Sequence, residues 1–106
     1  MLPGVEKLDD ILADVLDLEA ERVTLEWTSG GIEVTTYRGP AGVGRVLADP
    51  VARSVVEELV RRAALERRTS GLLEASIRGR RMTFIAKEYD HFGETAFELR
   101  YREDTA

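Results

Sequence analysis

Apolar residues recur at every third or fourth position in two stretches of the chain, which is the spacing of a helix with one buried side. The first stretch contains Val5, Leu8, Ile11, Leu12, Val15 and Leu16. The second contains Ala52, Val55, Val56, Leu59, Val60 and Ala63. We predict a first helix over residues 4–19. A second helix should begin with Asp49 as its N-cap and Pro50 as its first residue. It should fade near Arg67 or Arg68.

Between these helices, apolar and polar residues alternate, as they do in strands with one buried side. The apolar members are Val23, Leu25, Trp27, Ile32, Val34 and, less strictly, Thr36. Placing Gly30 and Gly31 at the centre of a two-residue turn pairs Trp27 with Val34 and Leu25 with Thr36. Trp27 is therefore predicted to lie in the core. A short third strand is predicted over residues 43–47.

Three glycines, Gly39, Gly42 and Gly44, follow the second predicted strand. A glycine-rich segment after a strand can cradle a phosphate, but the required context is absent. Their spacing fits neither a dinucleotide-binding motif nor a P-loop, and no helix begins at the last glycine. We interpret them as turn residues.

The last third of the chain predicts three further strands. A turn at Gly79 and Arg80 pairs Ile77 with Met82, and it keeps one side of the hairpin apolar. Residues 90–93 are predicted to form a loop. The final strand should then place three residues inward, namely Phe97, Leu99 and Tyr101.

The predicted order of elements is α-β-β-β-α-β-β-β. Runs of strands separated by one helix, without regular βαβ units, are typical of the α+β class. We therefore predict an antiparallel sheet of about five to six strands with two helices packed on one face. With 106 residues and 11.9 kDa, the chain is expected to form a single domain over residues 1–106.

Composition excludes several classes of site. The chain has no cysteine and one histidine, which removes disulfides, thiolate catalysis and sites built from several histidines. We accordingly predict no metal and no cofactor. No apolar run is long enough to span a membrane, and the first residues lack the pattern of a secretory signal, so we expect a soluble, cytoplasmic protein without membrane insertion.

Charge is distributed unevenly along the chain. Residues 1–50 contain ten acidic and four basic side chains, whereas residues 51–106 contain ten acidic and eleven basic ones. The overall net charge is −5. Binding to nucleic acid requires a concentrated positive surface, so the sequence argues against a nucleic-acid partner.

Candidate catalytic groups are few. His91 follows Asp90, but no cysteine or suitably placed serine is available for the pair to activate. The acidic residues of the first helix, Asp9, Asp10, Asp14 and Asp17, are predicted to face solvent rather than to form a site. We therefore expect no catalytic residues, and we expect that the protein is not an enzyme.

Five arginines form the candidate interaction surface. Arg78, Arg80 and Arg81 cluster at one hairpin tip, and Arg100 and Arg102 lie on the outward side of the neighbouring strand. Such a group could bind phosphate, an RNA backbone or an acidic protein surface. Because aromatic residues that would stack on bases are scarce there, protein contact ranks above RNA. The alternative is a sheet edge protected by charge against aggregation.

The order of elements and several local strings resemble the N-terminal, PAS-like domain of type II secretion and type IV pilus assembly ATPases. In that family a helix leads into a strand reading approximately Ala-Ser-Asp-Ile-His-Ile-Glu-Pro. The chain has Ala20-Glu21-Arg22-Val23-Thr24-Leu25-Glu26-Trp27 in its place. A later hairpin and a final strand with Leu99-Arg100 also match, so that the resemblance covers about residues 7–102.

The chain also departs from this family. Thr24 replaces the family's strand histidine, Gly39-Pro40 replaces its Asp-Gly, and Ile85 replaces an arginine of its penultimate strand. Arginines of the family's domain approach a nucleotide held by the motor core, and Arg100 is the clear positional counterpart among them. No Walker A sequence occurs. The resemblance thus implies a diverged bacterial domain that stands without a motor core.

The leading hypothesis is a non-enzymatic protein-interaction module. Its candidate partners are a secretion or pilus ATPase, and a second copy of the chain as a homodimer. Two alternatives stay open. One is a small-molecule or nucleotide sensor of PAS-like fold, and the other is a roadblock-type dimeric scaffold, which has a similar order of elements.

Overall fold

The computed structural model describes residues 6–102, which form two helices and six strands. The helices are α1 (Leu8–Asp17) and α2 (Val51–Arg62). The strands of the first half are β1 (Arg22–Thr28), β2 (Gly31–Arg38) and β3 (Ala41–Leu47). Those of the second half are β4 (Ser70–Ile77), β5 (Arg80–His91) and β6 (Glu94–Arg102). The predicted order of elements is confirmed.

All six strands belong to one antiparallel sheet with the order β3-β2-β1-β6-β5-β4. Each half of the chain contributes three consecutive strands. The halves join where β1 pairs with β6, with Val23 opposite Leu99 and Leu25 opposite Phe97. The edge strands are therefore β3 and β4, and the protein has the predicted α+β fold class.

Both helices pack on the same side of the sheet, here called the helix face. Buried residues of α1, of α2 and of one side of each strand form a single apolar cluster. Its largest members include Phe84, Leu8, Ile11, Leu12, Leu25 and Leu59. Trp27 packs at the margin of this cluster and is partly exposed. Within residues 6–102 no helix covers the opposite side, here called the open face.

The register of the first hairpin differs from the prediction by two residues. Its turn consists of Ser29 and Gly30, so that Trp27 lies opposite Ile32 and Leu25 opposite Val34. Gly31 has a φ of 144°, and a Cβ atom on it would lie 2.0 Å from the carbonyl oxygen of Leu47. This close approach requires glycine in the strand rather than in the turn.

The hairpin of β4 and β5 is shifted in the same way. Its turn consists of Arg78 and Gly79, with φ values of 53° and 77°, and Ala75 pairs with Met82. Two successive residues of positive φ define a type I′ turn, in which glycine favours the second position. Since a two-residue shift preserves the alternation of sides, the predicted core residues of both hairpins stay on the helix face.

Both helices end earlier than predicted. At the end of α2, Ala64 has a φ of 56°, the Leu65 N–H donates to the Val60 carbonyl at 2.9 Å, and the Ala64 N–H donates to the Arg61 carbonyl at 3.3 Å. This pair of hydrogen bonds is a Schellman motif. Glu19 and Ala20 form the same motif after α1, so each helix is stopped by its backbone hydrogen bonding.

The helix starts also differ from the prediction. The first helix begins at Leu8, and the predicted positions 4–5 lie outside the described residues. The second begins at Val51, and no side chain caps it. Instead of capping, the Asp49 carboxylate lies 3.6 Å from the Arg53 guanidinium.

Of the three glycines interpreted as turn residues, only Gly39 lies in a turn, with a φ of 59°. Gly42 and Gly44 lie inside β3, which begins two residues earlier than predicted. The ring of Tyr37 lies across Gly42, where a Cβ atom would be 2.9 Å from Cε1 of that ring. Glycine here makes room for a neighbouring side chain.

Candidate functional site

The open face carries a row of side chains that runs across the sheet. Backbone pairing places Leu72 of β4, Ile85 of β5, Arg100 of β6, Arg22 of β1 and Tyr37 of β2 side by side. Leu72 is 54% exposed, and Ile85 is partly buried. The row therefore combines aliphatic, cationic and aromatic groups on a surface that neither helix covers.

The two arginines of this row have different freedom. The Arg22 guanidinium lies 3.9 Å from the ring centroid of Tyr37, in cation–π geometry, and 3.8 Å from a carboxylate oxygen of Glu98. Arg100 lies 3.8 Å from the other oxygen of the same carboxylate, and its side chain is 53% exposed. The Arg22 side chain, which packs on the Tyr37 ring, is 29% exposed, whereas the Arg100 side chain is more than half exposed.

Two further predicted arginines share the open face with Arg100. Arg102 lies opposite Thr83, and Arg81 lies two residues before Thr83 on the same side of β5. The Arg81 guanidinium approaches the Glu74 carboxylate at 3.3 Å and its side chain is 78% exposed. The structure brings these three together, and we call Arg81, Arg100 and Arg102 the arginine surface.

The other two predicted arginines lie elsewhere. Arg78, in the turn between β4 and β5, donates two hydrogen bonds to the Asp17 carboxylate of α1, at 2.5 and 2.9 Å. These hydrogen bonds lower the pKa of Asp17 and raise that of Arg78. Arg80 begins β5 on the helix face, beside a groove of about 440 Å³. Three of the five predicted arginines thus share the open face, whereas Arg78 and Arg80 do not.

The groove beside Arg80 lies between α1, the segment that follows it, and strands β5 and β6. Its lining includes Val15, Leu16, Glu19, Ala20, Glu21, Met82 and Tyr101. A phosphate entering it would meet one guanidinium and two carboxylates. That balance of charge disfavours an anionic nucleotide.

At the far end of the open face, one carboxylate contacts two side chains of β5. Glu26 Oε2 accepts a hydrogen bond from the Tyr89 hydroxyl at 3.3 Å and lies 3.1 Å from Nε2 of His91. Partial burial, and next the charge of Glu26, raise the pKa of Tyr89 to about 12. The phenol therefore stays protonated and serves as a hydrogen-bond donor.

This arrangement corrects the prediction for residues 90–93. Asp90 and His91 belong to β5, and only Phe92 and Gly93 form the turn. Because neighbours in a strand face opposite sides, Asp90 cannot orient the imidazole. Sequence spacing gave no indication of Glu26 as the partner of His91, since the two come together only through the sheet.

Of the acidic residues of α1, Asp9, Asp10 and Asp17 are exposed to solvent as predicted, whereas Asp14 is partly buried. Three of them pair with arginines from other elements: Asp9 with Arg62 of α2, Asp14 with Arg45 of β3, and Asp17 with Arg78. They connect α1 to the rest of the fold. In the described part of the chain, no group of three or more acidic or histidine side chains is placed to hold a metal ion.

Neither α1 nor α2 is long and apolar enough to cross a membrane. No family model matches the chain, and a search of curated proteins finds no match. The resemblance to secretion and pilus ATPases therefore stays a prediction from the quoted strings.

Proposed function

We propose that the chain is a non-enzymatic protein-interaction module whose arginine surface binds an acidic surface of another protein. The observation that carries this proposal is the position of Arg81, Arg100 and Arg102 on the sheet face that neither helix covers. Arginine is enriched in protein interfaces because its planar guanidinium pairs with carboxylates in a bidentate manner.

Strand order favours this proposal over the alternative of a charge-protected edge. Arg100 and Arg102 lie on β6, which occupies an inner position between β1 and β5. Arg81 lies on β5, which is also an inner strand. Protection against edge-to-edge pairing is needed on edge strands, so that role does not account for these three residues.

The surroundings of Arg100 suit a protein partner. Among residues 6–102, the carboxylate nearest to Arg100 is that of Glu98, at 3.8 Å, which is beyond hydrogen-bonding distance. Ile85 lies beside Arg100 in the adjacent strand and offers apolar surface. A partner carrying Asp or Glu next to an apolar side chain would match both groups. The candidate from the family resemblance is a secretion or pilus ATPase.

The proposal is tested with a triple variant in which Arg81, Arg100 and Arg102 are each changed to Glu. Partners that co-purify with the wild-type chain are identified by mass spectrometry, purified and titrated by calorimetry. We expect the variant to bind about 30-fold or more weakly, because three attractive contacts become repulsive. Wild-type affinity should also fall as salt rises.

The matched control changes Arg61, Arg67 and Arg68 to Glu. These residues lie in and after α2, are exposed, and give the same change in net charge. We expect the control to bind within about twofold of the wild type. Equal loss in both variants, or no loss in the first, would contradict the proposal. So would a specific thermal stabilisation by nucleotides, which would favour the sensor alternative.

A further inference from the structure

Among the six described strands, none pairs with the outer edge of β3. The two-residue turn of Gly39 and Pro40 makes Arg38 and Ala41 the first hydrogen-bonded pair of β2 and β3. Alternate residues of β3 therefore bond to β2. The N–H and C=O groups of the intervening residues, Gly42, Gly44 and Val46, point away from the sheet within the described range.

The features that normally protect a sheet edge are missing from β3. The strand contains no proline, and its one charged residue is Arg45. Six of its seven residues are exposed, including Val43 at 62% and Val46 at 52%. A flat, exposed edge with apolar side chains is a template for pairing with another strand.

The opposite edge, β4, is already bonded to α2 at one position. The carbonyl of Glu74 points outward from the sheet by the same alternation, and it accepts a hydrogen bond of 3.1 Å from the Arg62 guanidinium of α2. An added strand at β4 would have to displace Arg62. The two edges of one sheet thus differ, and the open one is β3.

The charge of Arg45 does not oppose pairing between two copies. Its guanidinium binds the carboxylates of Glu6 and Asp14 on the helix face. Partial burial works against its charge, but these hydrogen bonds outweigh that effect and raise its pKa. The β3 edge therefore presents no uncompensated charge to an identical edge.

We infer that two copies of this chain pair through β3, antiparallel about a two-fold axis at Gly44, into one continuous sheet. The outward N–H and C=O groups of Gly44 then bond to those of Gly44 in the second copy. Val46 comes opposite Gly42 of the second copy, and Val43 comes opposite Arg45. The sheet would contain twelve strands, six from each copy.

The residues around the two-fold axis explain why the strand that pairs with β3 belongs to a second copy of the chain. On the open face, Val46 would lie opposite Gly42 of the second copy, which has no side chain beside the Tyr37 ring. The two-fold symmetry produces this contact twice. On the helix face, Ala41 comes opposite Leu47. Val46 and Leu47 thus meet a glycine and an alanine, and Val43 lies beside the aliphatic part of Arg45, in an isologous contact. Because β3 lies three positions from β6 and four from β5 in the sheet, this inference does not rest on the arginine surface.

The test compares Val46→Lys with Leu72→Lys in the full chain. Both residues lie on edge strands, face the open side and are about equally exposed. Light scattering after size exclusion should give the wild type twice the 11.9 kDa chain mass. We expect Val46→Lys to raise the dimer dissociation constant at least about tenfold, whereas Leu72→Lys should leave it within about twofold.

Amide hydrogen exchange supplies a second measurement. In the dimer, the N–H groups of Gly42, Gly44 and Val46 should be protected, and Val46→Lys should abolish that protection while circular dichroism stays unchanged. A wild-type chain that remains monomeric at about 1 mM overturns the inference, as does a dimer that Val46→Lys does not weaken. Protection of these amides in a monomer would also overturn it, because the same chain would then cover the edge.

Discussion

At the scale of single residues, two glycines are required by close contact between backbones. Gly31 lies against the end of β3, and Gly71 lies against the end of α2. A Cβ atom on Gly71 would be 2.1 Å from the carbonyl oxygen of Ala63. That oxygen belongs to rigid backbone, so a larger residue can be accommodated only by moving the helix end or the strand.

We therefore predict that Gly71→Ala lowers the free energy of unfolding by about 1–3 kcal/mol, through overpacking. Urea denaturation followed by circular dichroism would measure it. Gly30→Ala is the control, because no atom lies within 4 Å of the added methyl group and the φ of Gly30 is not positive. Its effect should stay within about 0.5 kcal/mol. Similar losses in the two variants would contradict this account.

A second residue-scale feature is the distribution of charge on α1. Asp9, Asp14 and Asp17 all lie on the polar side of the helix, and each pairs with an arginine on a different element. The pattern of acidic positions correctly indicates one polar side of the helix. It does not indicate that this side is bound to β3, α2 and the β4–β5 turn.

At the scale of elements, the ends of the helices are determined by a local backbone motif rather than by the apolar pattern. The pattern of α2 continues to Ala63, and charged residues that favour helices follow it. Nevertheless Ala64 adopts a left-handed conformation and Leu65 turns back into the core, where it is 5% exposed. Burial of Leu65 offsets the cost of a positive φ at a residue that has a Cβ atom.

This leads to a prediction for the C-terminal end of α2. Ala64→Gly should raise the free energy of unfolding by about 0.5–1 kcal/mol, because glycine adopts positive φ without the Cβ penalty. Ala63→Gly, one residue earlier at a φ of −94°, should instead lower it by about 1 kcal/mol through loss of a buried methyl group. Thermal and urea unfolding would measure both. The same sign for both variants would show that the left-handed conformation carries no cost.

At the scale of the whole molecule, Arg62 connects three elements. From the last turn of α2, its guanidinium binds Asp9 of α1 at 2.9 Å, the carbonyl of Glu74 on β4 at 3.1 Å, and Glu58 at 3.4 Å. Its side chain is 21% exposed. A planar group with several donors is needed to reach partners in different directions.

Arg62→Lys should lower the free energy of unfolding by about 1–2 kcal/mol, since an ammonium group keeps the charge but cannot make all of these hydrogen bonds. Arg61→Lys is the matched control. Arg61 is the preceding residue and is exposed, and its substitution should change stability by less than about 0.5 kcal/mol. Chemical denaturation of the two variants side by side provides the measurement. Equal stability of the two variants would contradict the role given to Arg62.

The sequence by itself determined the class of fold, the order of elements and the side of each strand that is buried. These properties depend on alternation within a segment, and they survive an error in register: Leu25 and Val34 lie on the helix face whichever turn residues are chosen. The position of Arg100 and Arg102 on the outward side of the last strand followed from the same alternation.

Strand register, side-chain partners and strand order depend on distances between segments, and only the tertiary structure decided them. Gly31 lies in the strand rather than in the turn because the end of β3 passes beside it. His91 contacts Glu26 because β1 and the end of β5 lie near each other in the sheet. Strand order likewise made β3 an open edge and β6 an inner strand. Alternation is a property of neighbours along the chain, whereas register, ion pairs and edges arise from residues far apart in sequence, whose positions are fixed only when the core packs.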